Sequence, residues 1–296
     1  MNWSSLFLLL PALFWGISYI AIKVVLRELE PVEMISARFL MATPVLYIII
    51  KAKGLQVWPV EKKRHLLAAA FLVFLHFWVM ATGMKETSAS NTAWILTTAP
   101  IFVAGLAWLH LKEPFSKNHW IGFFVATLGV MVLTANGNLS NLAWINSRGD
   151  VIVLGSCLTW GLYTVATRDI TRKVHPLVAT FWMVGAAGVV FVPYTLLTSG
   201  SQVYLHMQPI TILSLVFLGV LCLAVSFWLW AEGLKRYTAA QVGAYLYIEP
   251  LFTMVAAWLL INERITIWII LGAILITLGV YISERKGKVR LQEHDV

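Results

Sequence analysis

The chain has 296 residues, of which 59% are hydrophobic and only 12% charged, and its formal net charge is +8. Soluble domains carry about 25% charged residues, so this composition belongs to a polytopic membrane protein. The connections between apolar stretches are short and leave no room for a soluble catalytic or nucleic-acid-binding domain.

A helix that crosses a bilayer needs roughly 20 apolar residues, and ten such spans are expected here. The first, 4–26, carries Trp15, Tyr19 and Lys23 at four-residue steps along one face. It exceeds the apolar core of a cleavable signal and is read as structure. The second, 33–50, contains Pro44 and also Arg38, which is expected near the outer surface, paired with Glu33 or a loop carbonyl in preference to binding substrate directly. The third, 65–83, contains His76, either a titrating group near neutral pH or a satisfied interior histidine. The fourth, 88–111, carries the stripe Asn91, Trp94, Thr98 and then Pro100. The fifth, 116–135, sets Gly122, Ala126 and Gly129 near one face, for close packing inside the bundle or for a dimer contact. A polar, turn-rich linker occupies 137–148.

The sixth span, 149–169, places Trp160, Thr164 and Arg168 at four-residue steps, with Tyr163 beside them. The seventh (176–197, with Pro193) and eighth (209–232) are almost wholly apolar. The ninth, 238–261, runs Gln241, Tyr245, Glu249 and Thr253 along a slowly drifting polar stripe, with Pro250 following the acid. A carboxylate that deep costs roughly 2.5–3.5 kcal/mol to insert and faces a cavity or the bundle interior. Glu249 therefore either meets a substrate amine or hydroxyl or a transferable proton, or stays protonated against a neighbouring helix. The tenth span, 264–283, repeats small residues at Gly272 and Gly279. The tail 285–296 is basic from Arg285 to Arg290 and suits anionic headgroups. Cys157 and Cys222 lie in different spans and read as packed thiols rather than a disulfide or metal pair.

Residues 83–130 recur at 233–280 with 15 of 48 columns identical, an offset of 150. Trp15-Gly16, Ala21, Arg27 and Pro31 recur at Trp160-Gly161, Ala166, Arg172 and Pro176, an offset of 145. The chain is thus one five-span module written twice: 1–136, the linker, and 149–284. An odd number of spans per copy makes the second enter from the opposite side, so the expected fold is all-α, with ten transmembrane helices as two inverted five-helix repeats. Charge follows the inversion. Loop 51–64 carries five basic residues, while its counterpart 198–208 carries no Lys or Arg. With a cytoplasmic N-terminus, sixteen Lys and Arg fall inside and five outside, which places both termini in the cytoplasm.

Equivalent positions at Pro100 and Pro250 suggest paired bends that either gate a midplane cavity or are simply held by packing. Lys23 and Arg168 are expected to snorkel at helix ends and gate the two mouths. Glu113 and Glu263, also repeat equivalents, read as structural, tying a turn into the following span. No GxxxxGK[ST] loop, HExxH motif or Cys/His cluster occurs, so no cofactor, metal or catalytic residue is expected.

The segments FWGISYIAIK at 14–23, Pro31 with Ala37-Arg38-Phe39-Leu40, Pro100 with LAWLHLKE ending at 113, and Gly122 with LGV at 128–130 resemble the EamA-type ten-span carriers of the drug/metabolite transporter superfamily. IEPLFTMVAAWLLINE at 248–263 and Gly272 with LGV at 278–280 carry the resemblance through the second copy. It implies alternating access around a central cavity, often with export of amino acids, related metabolites or drugs from bacterial cytoplasm. The resulting expectation is a secondary or facilitative exporter of small amphipathic metabolites in a bacterial inner membrane, monomer or homodimer, with proton coupling through Glu249 or His76. A passive channel, or a membrane enzyme or sensor, is the alternative. Trp15, Trp94, Trp160 and Tyr245 would wall the site, with Tyr19, Asn91, Tyr163 and Gln241 as hydrogen-bonding groups; His76, Thr98 and Thr164 complete the candidate set. Single cysteines placed within 51–64 and within 198–208 should label from opposite faces of the membrane; labelling from one face would remove the inverted repeat.

Overall fold

The computed structural model describes residues 3–58, 61–87, 92, 95–113, 116–135, 137–138, 147–261 and 266–284. Among these the chain is helical, without strands. A 3-10 turn (Trp3–Leu8) leads into α1 (Leu9–Val25), followed by α2 (Pro31–Ala52), α3 (Lys63–Glu86), α4 (Ala99–Leu111) and α5 (Lys117–Ala135). The second half holds α6 (Arg148–Ile170), α7 (Pro176–Thr198), α8 (Pro209–Arg236), α9 (Ala239–Ala244), α10 (Glu249–Ile261) and α11 (Ile267–Glu284). Seven described helices are long and apolar enough to cross a membrane, and α4 and α11 are shorter apolar ones. Their starts are written in the sequence. Pro31, Pro176 and Pro209 sit in first turns, where a missing N–H costs nothing. Ser147 with Asp150, and Thr238 with Gln241, form reciprocal capping boxes.

Two expected continuous spans are instead interrupted, at equivalent places. The fourth breaks at a turn over Thr97 and Thr98, and the ninth at a 3-10 segment, Tyr245–Ile248. The cause is proline. Pro250 has no N–H to give the Leu246 carbonyl, so the Glu249 N–H takes that acceptor three residues on, and the chain tightens. Pro100 and Pro250 therefore occupy first turns of new helices rather than helix interiors; Pro44 and Pro193 do lie inside continuous helices. The eighth span is continuous but contains a π-helical stretch, Phe217–Val225.

The two copies are interleaved. Gly122 lies against Gly279 and Ser283, and Gly129 against Gly272 and Ile276, so α5 and α11 run antiparallel with their backbones touching. A Cβ on Gly129 would stand 2.6 Å from the Ile276 nitrogen, a distance that no side chain tolerates. The small-residue stripe is thus consumed inside the bundle, and the dimer reading of it falls away. Other contacts come in matched pairs. Gly16 of α1 meets Phe252 of α10, as Gly161 of α6 meets Phe102 of α4. Gly83 of α3 meets Val153 of α6, as Gly233 of α8 meets Leu8 before α1. Each module's first helix packs on the other module's third and on the final part of its fourth span. The outer faces carry Val189, Leu197, Trp120 and Phe124, all exposed, as lipid-facing surfaces should.

Gly129→Leu should therefore lower stability by about 1–3 kcal/mol or more through overpacking, read as a drop in thermal unfolding temperature in detergent. Gly105, which has nothing within 4 Å of a Cβ, is the control: Gly105→Ala should leave that temperature unchanged or raise it.

Candidate substrate cavity and a buried ion pair

Trp15 and Trp160, equivalent at the 145 offset, meet edge to face with ring centroids 5.5 Å apart. Phe227 and Trp230 close on both rings, at 5.4–6.0 Å. The Trp15 indole donates to the Cys222 carbonyl in the π-helical stretch at 2.8 Å, which fixes the ring against α8. Above this aromatic floor lies a cavity of about 120 Å³. Four repeat-related pairs line it: Trp15 and Trp160, Phe77 and Phe227, Leu96 and Leu246, Ala99 and Glu249. The cavity thus draws on both modules and on both interrupted spans.

Its polar groups break that equivalence. Glu249 opens α10, where the first-turn amides favour negative charge, and accepts the Tyr19 hydroxyl at 3.4 Å. Thr253, one turn on, donates to the Gly16 carbonyl at 2.9 Å and pins α10 to α1. His76 has Nδ1 3.0 Å from the Ser156 carbonyl, which can only accept, so Nδ1 carries the proton and Nε2 is the acceptor of the neutral ring. Ser18 and Arg38 complete the polar lining. Arg38 corrects the sequence reading. It is 5% exposed, lies over the Phe77 ring at 5.3 Å, and does not pair with Glu33, whose carboxylate accepts the Glu30 N–H in the cap of α2. Membrane depth is legible in a sequence, whereas lateral burial at that depth depends on which helix lies alongside.

The model of the EamA-like transporter family matches residues 2–135 and again 147–284. This chain belongs to that family. It is similar, at 28% identity over 96% of its length and 98% of the relative's, to a protein of Archaeoglobus fulgidus named an uncharacterized transporter. An Escherichia coli (strain K12) protein named "Probable amino-acid metabolite efflux pump" is 26% identical over 93% of this chain and 92% of its own. A solved crystal structure superposes with a TM-score of 0.82, covering 95% of this chain and 96% of that one at 17% identity, which shows a shared fold.

Within this EamA-like chain the remaining candidates fall into three groups. Trp15, Tyr19, His76, Trp160 and Glu249 converge on the cavity. Thr98, Tyr163, Thr164, Gln241 and Tyr245 do not line it. Tyr163 packs on Trp160 at 5.3 Å, Thr164 is fully buried, the Gln241 side chain accepts the Thr238 N–H to cap α9, and Tyr245 is 2% exposed on the 3-10 segment. Thr98 donates to the Ile95 carbonyl at 2.7 Å. Asn91 and Trp94 lie outside the described residues, as do Glu263 and the basic tail. Four-residue stepping placed Gln241 and Tyr245 with Glu249; the 3-10 segment rotates them off its face.

Arg168 does not snorkel. Its side chain is fully buried, with Nε 3.2 Å from Glu113 Oε1, while Glu113 Oε2 accepts the Ala239 N–H at 2.8 Å. Lys112, left-handed at φ 51°, ends α4 and carries the chain into Glu113. Glu113 thus ties α6 to the start of α9, across the two modules, rather than tying its own turn to α5. Lys23, the equivalent of Arg168, is exposed. Removing one partner of such a pair strands a buried charge, so Glu113→Gln should cost about 3–5 kcal/mol, while Glu113→Gln with Arg168→Met should recover most of it. Detergent unfolding of both variants measures the difference.

Proposed function

We propose that this protein is a secondary or facilitative carrier that exports small amphipathic metabolites, amino acids or their derivatives, by alternating access through the cavity between its two modules. The observation that carries this reading is the pair of interrupted spans, Thr97–Thr98 and Tyr245–Ile248, which flank one cavity from equivalent positions. Broken helices at matching points of two repeats favour solute binding between them. The aromatic floor suits an apolar body, and Glu249 with Tyr19 suits an amine or a hydroxyl. The efflux role named for the Escherichia coli relative agrees with export.

Antiparallel packing of the equivalent helices α5 and α11 supports insertion of the two modules in opposite directions. Together with the basic loops, this favours ten crossings of a bacterial inner membrane with both termini in the cytoplasm. On that orientation the Arg168–Glu113 pair lies at the cytoplasmic mouth and acts as a gate, with exposed Lys23 at the opposite end. Pro100 and Pro250, at the starts of α4 and α10, are the hinges about which those helices tilt. Glu249 or His76 is the group through which a proton gradient drives export.

In proteoliposomes containing the purified protein, saturable counterflow of an amino acid or derivative should appear, which a passive pore would not give. Glu249→Gln should slow it by roughly tenfold or more, the loss of one charge-assisted contact, and abolish its response to an imposed pH gradient. Normal counterflow with the pH response intact would remove Glu249 from both roles.

A further inference from the structure

Arg38 is a cation without a partner in the centre of the bundle. It is 95% removed from solvent, and among the described residues its guanidinium makes no hydrogen bond and no ion pair. A guanidinium stays charged under all ordinary conditions and offers five donors in a planar fork that matches a carboxylate. Its guanidinium lies over the face of Phe77, with the Cys222 thiol and the His76 ring as its electrostatic neighbours and no carboxylate among them. A group of opposite sign, Glu249, lines the same cavity with the Tyr19 hydroxyl as its side-chain hydrogen-bond partner, yet the two form no ion pair.

Neither charge belongs to the architecture. At the repeat offsets Arg38 corresponds to Met183, and Glu249 to Ala99. Each module therefore builds its share of the wall without the charge, which makes a purely structural origin for either one unnecessary. Buried charges in a membrane-spanning bundle are expensive unless paired, and here two of opposite sign stand apart across one small space. A ligand with only an ammonium would leave Arg38 unsatisfied, and one with only a carboxylate would leave Glu249 so.

We propose that the cavity is a two-pole receptor, in which Arg38 holds a carboxylate and Glu249 with Tyr19 holds an ammonium, so that its ligand is a zwitterion with an apolar body lying on Trp15 and Trp160. This rests on the carrier reading for the site, and it adds the recognition chemistry: both ends of the ligand must be free.

The test uses the full-length protein in detergent and follows tryptophan fluorescence, since two indoles form the cavity floor. Titrants are zwitterionic L-amino acids with small, aliphatic and aromatic side chains, each beside its methyl ester and its N-acetyl derivative. The wild type should bind at least one zwitterion about tenfold or more tightly than either blocked form, the loss expected for one charge-assisted hydrogen bond. Arg38→Gln should lower affinity for the zwitterion to that of the ester while leaving the ester unchanged. Glu249→Gln should do the same relative to the N-acetyl form. Arg38→Lys, which keeps the charge and loses the fork, should recover part of the carboxylate preference. Equal binding of acid and ester by the wild type overturns the proposal, as does binding of no zwitterion; both results need no variant to fold. If the two-pole pattern holds but no counterflow occurs, the carrier reading fails and the receptor stands. Undiminished zwitterion counterflow by Arg38→Gln leaves the carrier and removes the receptor.

Discussion

Helices in lipid gain nothing from burying apolar surface against one another, because the surrounding chains are equally apolar; what holds them is contact distance. The α5–α11 pair shows how far this goes. Gly122 and Gly129 on one helix, and Gly272 and Gly279 on the other, remove their own Cβ atoms from the seam and let each sit against the backbone of the facing helix. Because the four glycines are equivalent in pairs, one sequence solution serves both helices. The same economy recurs at Gly16 and Gly161 and at Gly83 and Gly233, where each glycine admits a side chain of the other module. The positions that need close approach are glycine in both modules; elsewhere the two modules differ.

That freedom is where the chemistry sits. Around the cavity the apolar pairs keep their identity: Trp15 with Trp160, Phe77 with Phe227, Leu96 with Leu246. The polar positions do not, for Glu249 faces Ala99, Arg38 corresponds to Met183, and His76 to Ser226. A pair of identical charges facing each other in so small a space would repel. A single copy of each sign avoids that and gives the cavity a direction. Shape comes from the positions the two modules share and polarity from those at which they differ.

The duplication itself is legible in the sequence, and with it the all-helical apolar bundle, the aromatic floor and Glu249, because repeats and misplaced polar groups are local signals. The interruption of the fourth and ninth spans is half legible. Pro100 and Pro250 announce a missing donor, but whether the chain kinks or restarts depends on which neighbour takes the freed carbonyl, here the Glu249 N–H. Arg38 and Arg168 are the clearest misses. Both stand within about two turns of a helix end, where a long cation ordinarily reaches water. Both are buried because a helix of the other module covers them, and no periodicity within one helix reveals its neighbours. For Arg168 a signal did exist: Glu113 recurs as Glu263 at the 150 offset, and an acid just past the end of α4 serves a cation on a different helix as readily as a local turn.

The Arg168–Glu113 pair also shows how two equivalent helix ends come to differ. Arg168 gives Glu113 one hydrogen bond, from Nε, while Nη1 and Nη2 are buried with no hydrogen-bond partner; Glu113 in turn holds the first amide of α9, so three segments are fastened by one carboxylate. The equivalent residue at the other end is Lys23, a compact ammonium with no fork, and it is exposed. The two ends are therefore not fastened alike, even where the backbone repeats.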